Sequence, residues 1–401
     1  MKRIAITIAT LLILIVLGIS LFFYDSPKTS LNWDGGIWSE PQTLPFASSE
    51  TIQFKDNLLM FYTKITKDTM NMDDAIEPDE YQLWDVFYRV YDGSNYSEEI
   101  PLTNSTDEIR VQADFLIYND NLYAILREEW INNFTSYDWT TRVRMQFFDG
   151  TQWHNIVGPY VEDELLFGAP QYCVYNNEIW AIRKNQEPNV FMPNSYSYKT
   201  FDGISWSTPQ NFSFPTCEPH NWKFMILNNQ LWSVWENVTV QTYQSPYYRE
   251  ANMYLGCFDG ENWTNVTMMS LPETIGSSNW PCAVVYNGEL LIFWSNTNVD
   301  ETDLILKRFN LNNFSLNELA KDSSGSKYKI NFNVETCTYN DRLYMLVGGL
   351  IWNFNGTSLS ESYRFPDQIY GRLFVFKDKL WTVISNSDVE KTFIRNYVRT
   401  D

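Results

Sequence analysis

FDGTQW at Phe148–Trp153 and FDGISW at Phe201–Trp206 are two copies of one pattern: an aromatic residue, Asp, Gly, two variable residues and a second aromatic. Outward from this pair the pattern recurs as FDGENW at Phe258–Trp263, YDGSNY at Tyr91–Tyr96 and WDGGIW at Trp33–Trp38. Degraded copies follow as FNLNNF at Phe309–Phe314 and FNGTSL at Phe354–Leu359. Counted from Asp34, the steps between copies are 58, 57, 53, 57, 51 and 45 residues. A second pattern, an aromatic or Leu, a polar turn and an apolar run, alternates with the first without a miss. It reads FKDNLL from Phe54, YNDNLY from Tyr118, YNNEIW from Tyr175 and LNNQLW from Leu227, then YNGELL from Tyr286, YNDRLY from Tyr339 and FKDKLW from Phe376.

Asn-Asp, Asn-Gly and Asp-Gly tolerate the positive φ that two-residue turns need, and here alternating β-branched and aromatic residues flank them. Each unit of about 53 residues therefore predicts two hairpins, or four antiparallel strands, which is what a propeller blade requires. The series opens on the first pattern at Asp34 and ends on the second at Phe376. The stretch Trp33–Leu44 should thus complete the blade begun by residues 370–401, closing the ring and removing its exposed edges. The reading is an all-β fold, one seven-bladed β-propeller over residues 32–401, closed by the N-terminal strand and reached through a linker at 25–31.

The LVGG of Leu346–Gly349, with aromatic-Asp-Gly-x-x-Trp turns one hairpin later, resembles kelch-type propellers. The WDGGIWS of Trp33–Ser39 resembles the Asp-box turn of sialidase-like propellers. Both motifs are structural in their families, so the resemblance implies a fold and leaves activity open.

Ahead of the repeats, Met1-Lys2-Arg3 precedes an uncharged run rich in Ile and Leu from Ile4 to Tyr24. As a helix rising about 1.5 Å per residue, some twenty such residues span roughly 30 Å, a bilayer core. Lys2 and Arg3 would hold the N-terminus in the cytoplasm. The expectation is a signal-anchor transmembrane helix over residues 1–24, with a cleaved signal peptide as the alternative. Either way the propeller is expected to be extracytoplasmic, at the cell membrane or secreted. Nine Asn-x-Ser/Thr triplets follow, at Asn95, Asn104, Asn133, Asn211, Asn237, Asn262, Asn265, Asn313 and Asn355. They read either as glycosylation acceptors of an exported protein or as chance products of an Asn-rich chain. Five cysteines without a CxxC pair leave at least one thiol outside any intramolecular disulfide.

Lys and Arg total 29 against 49 Asp and Glu, a net charge of −20, which excludes a nucleic-acid binder. Aromatic residues at 17% exclude intrinsic disorder. Two histidines leave little room for a multi-His metal centre or haem, so neither metal nor cofactor is expected. No GxSxG, Walker loop or HExxH occurs.

In a four-stranded meander the first and third turns share one end, so the two patterns occupy one uniform face. The opposite face is irregular and carries Thr63–Trp84, Arg127–Thr140, Arg183–Asn194, Thr216–Trp222, Trp235–Glu250 and Trp294–Asp303. Variable loops on a rigid scaffold are where binding residues concentrate. Four residues before each second-pattern aromatic or Leu stand Glu50, Asp114, Gln171, Lys223, Cys282, Glu335 and Arg372. Strand alternation should gather these into one ring near the channel mouth. The ring is either a hydrated channel in which Arg372 pairs with Glu50 or Glu335, or the polar floor of a ligand funnel.

Two functions follow. A binding module would use that ring with Trp130, Trp139, Trp222, Trp235, Trp280 and Trp294 to stack on glycan or to anchor a cell-surface protein. The alternative is a glycoside hydrolase or polysaccharide lyase, sialidase-like, with Glu50, Asp114 and Glu335 as its catalytic carboxylates and Arg372 as an anion clamp. Trp38, Trp153, Trp206 and Trp263, and with them Trp180, Trp232 and Trp381, are assigned to packing between blades.

Overall fold

A computed structural model describes residues 36–399, except 45, 47–49, 69–81, 105–108, 134–137, 160–169, 185–195, 213–218, 243–247, 270–276, 298–301, 311–314, 323–333, 348–349, 366–369 and 387–390. The expected membrane segment and the Gly348-Gly349 pair lie outside these residues.

Strands β1 (Gly36–Trp38) and β2 (Gln42–Leu44) come first, and blades follow in chain order. Blade 1 is β3 (Glu50–Phe54), β4 (Asn57–Asp68), β5 (Gln82–Tyr91) and β6 (Ile100–Pro101). Blade 2 is β7 (Ile109–Tyr118), β8 (Asn121–Asn133), β9 (Asp138–Phe148) and β10 (Trp153–Ile156). Blade 3 is β11 (Gln171–Tyr175), β12 (Glu178–Lys184), β13 (Tyr196–Phe201) and β14 (Gln210–Phe212). Blade 4 is β15 (Pro219–Leu227), β16 (Gln230–Thr242), β17 (Tyr248–Phe258) and β18 (Trp263–Met268). Blade 5 is β19 (Ser277–Tyr286), β20 (Glu289–Thr297), β21 (Thr302–Asn310) and β22 (Ser315–Asp322). Blade 6 is β23 (Glu335–Tyr339), β24 (Arg342–Val347), β25 (Leu350–Phe354) and β26 (Leu359–Arg364). Blade 7 is β27 (Tyr370–Phe376), β28 (Lys379–Asn386) and β29 (Lys391–Arg399).

Each blade is an antiparallel meander, and the N-terminus supplies the outer strand of the seventh. Ile37 of β1 lies opposite Val398, and Thr43 of β2 lies opposite Phe393, both on β29. Between these strands Ser39 N donates to Asn396 O at 2.8 Å, and Asn396 N donates to Ser39 Oγ at 3.1 Å. The ring is closed as the order of the two patterns predicts, and β29 has no free edge where these strands cover it.

The two patterns make different turns. In the second, pairs such as Asn119-Asp120 and Asn176-Asn177 sit at φ near 50°, as two-residue hairpins require. The first makes four-residue turns instead, so the two-residue expectation holds for only one pattern. Asp92 Oδ1 accepts from Ser94 N at 2.7 Å and Asn95 N at 2.8 Å, an Asx turn that leaves the following Gly93 at φ 99°. Asp149, Asp202 and Asp259 repeat it. Asn355 does the same through its own Oδ1, so this degraded copy keeps the geometry of the others.

Both turns do lie on one face, because side chains link them across blades. Tyr118 Oη donates to Asn177 O at 2.8 Å, and Tyr339 Oη donates to Asp378 O at 3.1 Å, each reaching the next blade's two-residue turn. Lys55 Nζ donates to Asp149 O at 2.5 Å, and Lys377 Nζ donates to Asp92 O.

Buried apolar residues among those described form seven clusters, one at each junction of neighbouring blades. At the closure, Trp38 packs with Tyr344, Leu346 and Tyr397, while Leu44 joins Leu58, Phe376 and Trp381. Trp180, Trp232, Trp263 and Trp381 are buried as expected. Trp153 and Trp206 are half-buried and bond the preceding blade, through Tyr88 Oη at 3.3 Å and Val157 O at 3.0 Å.

Candidate functional site

The seven ring positions share one register. Glu50, Asp114, Gln171, Lys223, Cys282, Glu335 and Arg372 lie opposite Phe61, Ile125, Ile182, Val234, Phe293, Leu346 and Val383 of the second strands. All seven partners are buried, so each polar side chain stands beside a closed apolar platform at the same height in its blade.

Across blades the ring divides into two arcs. In blades 6, 7 and 1, Arg372 Nη1 donates to Glu335 Oε1 at 2.5 Å, and Arg372 Nη2 donates to Glu50 Oε2. Arg372 is brought this close by the residue before it. A Cβ on Gly371 would lie 2.7 Å from Val383 O and 2.8 Å from Leu346 Cδ2 of blade 6, so glycine lets β27 approach its neighbour. Thr382 Oγ1 donates to Arg372 O at 3.1 Å. The sequence offered a cue to this packing, a lone Gly inside an apolar strand.

The other arc, in blades 2, 3 and 4, is open. Asp114, Gln171 and Lys223 have no hydrogen-bond partner for their side chains among the described residues. Asp114 feels the charges of Arg127, Lys223 and Arg372. Arg127 is itself held by Glu129 at 3.0 Å and by Gln112. Cys282 completes the ring, with its thiol against Val334 O at 3.5 Å and pushed up to about 11 by burial.

Burial decides the electrostatics. It pushes the Glu50 carboxyl up from 4.5 to about 7, with Arg372 opposing and Glu335 and Asp114 reinforcing. Asp114 reaches solvent in the channel yet is crowded by the flanking blades. That burial raises its pKa against the pull of Arg127 and Lys223. For Arg372, burial works against the charge, but the Glu335 and Glu50 carboxylates outweigh it and hold the guanidinium above its usual range. A carboxyl that keeps its proton near neutrality can serve as a general acid, and an ionised carboxylate beside it as base or nucleophile.

The tryptophans depart from expectation. Trp222 is 9% exposed and Trp235 is 0% exposed, so neither is available to a ligand. The reason is that both fall in strands where loops were expected, Trp222 in β15 and Trp235 in β16. Trp235 lies mid-way along β16, pairs with Tyr254 on β17, and stacks on that ring at 6.0 Å. A Cβ on Gly256 would come within 2.9 Å of its Cη2 atom. Trp222 sits at a bulge in β15, edge-on to Tyr196 at 5.1 Å. The side chains of Trp130, Trp139, Trp280, Trp294 and His220 lie outside the described residues.

Among the Asn-x-Ser/Thr triplets, Asn95, Asn104, Asn211, Asn262 and Asn355 are exposed. Asn237 is 6% exposed and paired on both sides, with Pro219 and with Asn252, so the fold keeps it from the surface. The side chains of Asn133, Asn265 and Asn313 lie outside the described residues. His154 is partly exposed, 2.9 Å from Asp149 Oδ2 and stacked on Phe147, at the surface.

No family model matches the chain, and no curated protein matches its sequence. Among solved structures, the polysaccharide lyase Uly1 superposes with a TM-score of 0.55 at 10% identity, covering 94% of each chain. An α-L-arabinofuranosidase from Fusarium graminearum gives 0.47 at 11% identity over 91% of this chain and 97% of that one. A Trypanosoma rangeli sialidase gives 0.41 at 9% identity over 92% and 58%. At these identities the likeness is one of fold.

Proposed function

We propose that the chain is a carbohydrate-active enzyme that cleaves glycosidic bonds at the channel mouth by general acid–base catalysis. The observation that carries this reading is the convergence there of Glu50, Asp114 and Glu335, with the Glu50 proton held to about 7. Glu50 donates to the leaving glycosidic oxygen. Asp114, without a protein hydrogen bond among the described residues, acts as the second carboxylate, and Glu335 holds Arg372. The fold shared with the polysaccharide lyase Uly1 is one that can carry carbohydrate chemistry. The reading as a pure binding module loses support with the burial of Trp222 and Trp235, two of its aromatic anchors.

The experiment is an array of glycans probed with the soluble propeller, residues 30–401, with mass analysis of each spot. Loss of glycan mass that disappears in Glu50→Gln or Asp114→Asn, with the fold intact, supports the enzyme. Saturable binding with unchanged mass restores the binding module. The run Ile4–Tyr24 behind Lys2 and Arg3 further supports a signal-anchor that displays the propeller outside the cell. An epitope at the C-terminus should then be removed by protease from intact cells, and a protected epitope would refute that topology.

A further inference from the structure

We infer that the channel mouth takes uncharged glycan and rejects uronate, sialate and sulfated sugars, because its guanidinium already serves two carboxylates of this chain. The inference rests on the reading of this ring as a glycan site and adds the chemical class of what it accepts.

Arginine recognises a carboxylate or sulfate by presenting two parallel N–H groups of its planar fork. Each terminal nitrogen of Arg372 already spends an N–H inside the chain, Nη1 on Glu335 and Nη2 on Glu50, so the fork is oriented by these carboxyl groups and not free to turn to a ligand. A substrate anion would have to enter beside the Glu335 carboxylate on the same guanidinium, and beside Glu50 too once that group ionises. The charge count points the same way. Three carboxyl groups face one ammonium and one guanidinium, which leaves the ring one negative charge, or none when Glu50 carries its proton. Among the described residues of the ring there is no positive surplus to hold an acidic sugar, and Arg127 nearby is engaged by Glu129 and Gln112. A chain charge of −20 repels polyanions before they arrive.

The open arc supplies what a neutral polyol needs. The Asp114 carboxylate can accept from sugar hydroxyls. The Gln171 amide can both donate and accept, and the Lys223 ammonium can donate. Asp114 and Lys223 lie in each other's field, so the ammonium is balanced within the site. Gln171 and Lys223 therefore act as positioning residues for the sugar.

The test is titration calorimetry of the soluble propeller against two sets of probes, at low and at physiological salt, with mass analysis for product. Neutral probes are cello-, manno-, xylo- and arabino-oligosaccharides; anionic probes are oligogalacturonate, sialyllactose and heparin fragments. Saturable binding is expected with a neutral series only, nearly indifferent to salt. Gln171→Ala and Lys223→Ala should each weaken it about tenfold, the scale of one lost hydrogen bond to a charged or amide group. Binding of an anionic series with strong salt dependence would overturn the inference, and so would unchanged affinity in both variants. Neutral binding without product would leave this inference standing and remove the enzymatic reading. Binding of neither set would overturn both.

Discussion

Replacing Glu50 by Gln should change how stability depends on pH, in a direction that separates burial from pairing. The Glu50 carboxyl is raised from 4.5 to about 7 in the folded protein, with burial as the largest cause. Between those two values the folded chain keeps a proton that the unfolded chain has lost. The unfolded state binds fewer protons there, so this residue makes stability fall as pH rises. At about 1.4 kcal/mol per pH unit the window is worth on the order of 3 kcal/mol. Gln cannot ionise and lacks this slope. Urea unfolding of parent and variant, followed by tryptophan fluorescence from pH 4 to 8.5, reads the difference. Glu50→Gln should gain on the parent by up to about 3 kcal/mol across the window, whatever constant offset separates the two at pH 4. Parallel curves would refute the dominance of burial. A variant that loses ground as pH rises would mean that the bond to Arg372 outweighs desolvation.

The remaining predictions are structural. Glu128 is 3% exposed and receives Arg142 at 2.5 Å and Arg144 at 2.6 Å; Glu128→Gln should cost about 1.5–3 kcal/mol in urea unfolding, and an unchanged midpoint would show the bonds to be idle. Gly256→Ala places a methyl against the Trp235 ring and should cost about 1–3 kcal/mol with an altered near-ultraviolet dichroism; a Trp235→Phe background should recover part of the loss. If the exported chain is glycosylated, mass spectrometry of folded protein should find Asn237 unmodified, since a glycan cannot fit between paired strands, while Asn262 in its exposed turn remains open to modification. A folded protein carrying glycan at Asn237 would mean that the blade 4 register is wrong.

Much of the fold was legible because the repeats encode it locally. Asp92, Asp149, Asp202 and Asp259 each fold their own turn with their own carboxylate, and pairs such as Asn176-Asn177 accept the left-handed backbone without help from elsewhere. Ring membership was legible for the same reason, since strand alternation fixes which residue stands opposite Phe61, Ile125 or Leu346. The tryptophans were not. Pro219 and Asn221 before Trp222, and Asn237 after Trp235, read as turn residues, yet all three lie inside β15 and β16, strands that continue past the body of the blade. The burial of Trp222 and Trp235 depends on Tyr196, Tyr254 and Gly256, which belong to other strands.

The sequence by itself determined the number of blades, their order, the closure by Gly36–Trp38 and the seven positions that face the channel mouth, because each follows from turn chemistry and a period of two. Only the tertiary structure decided that Arg372 joins Glu335 to Glu50 while the side chains of Asp114, Gln171 and Lys223 have no hydrogen-bond partner among the described residues. Those outcomes depend on how closely separate blades approach, as at Gly371 against Leu346. They depend equally on how much water that approach removes from each carboxylate, and distances between blades are written in the packing of the whole ring and not in any one strand.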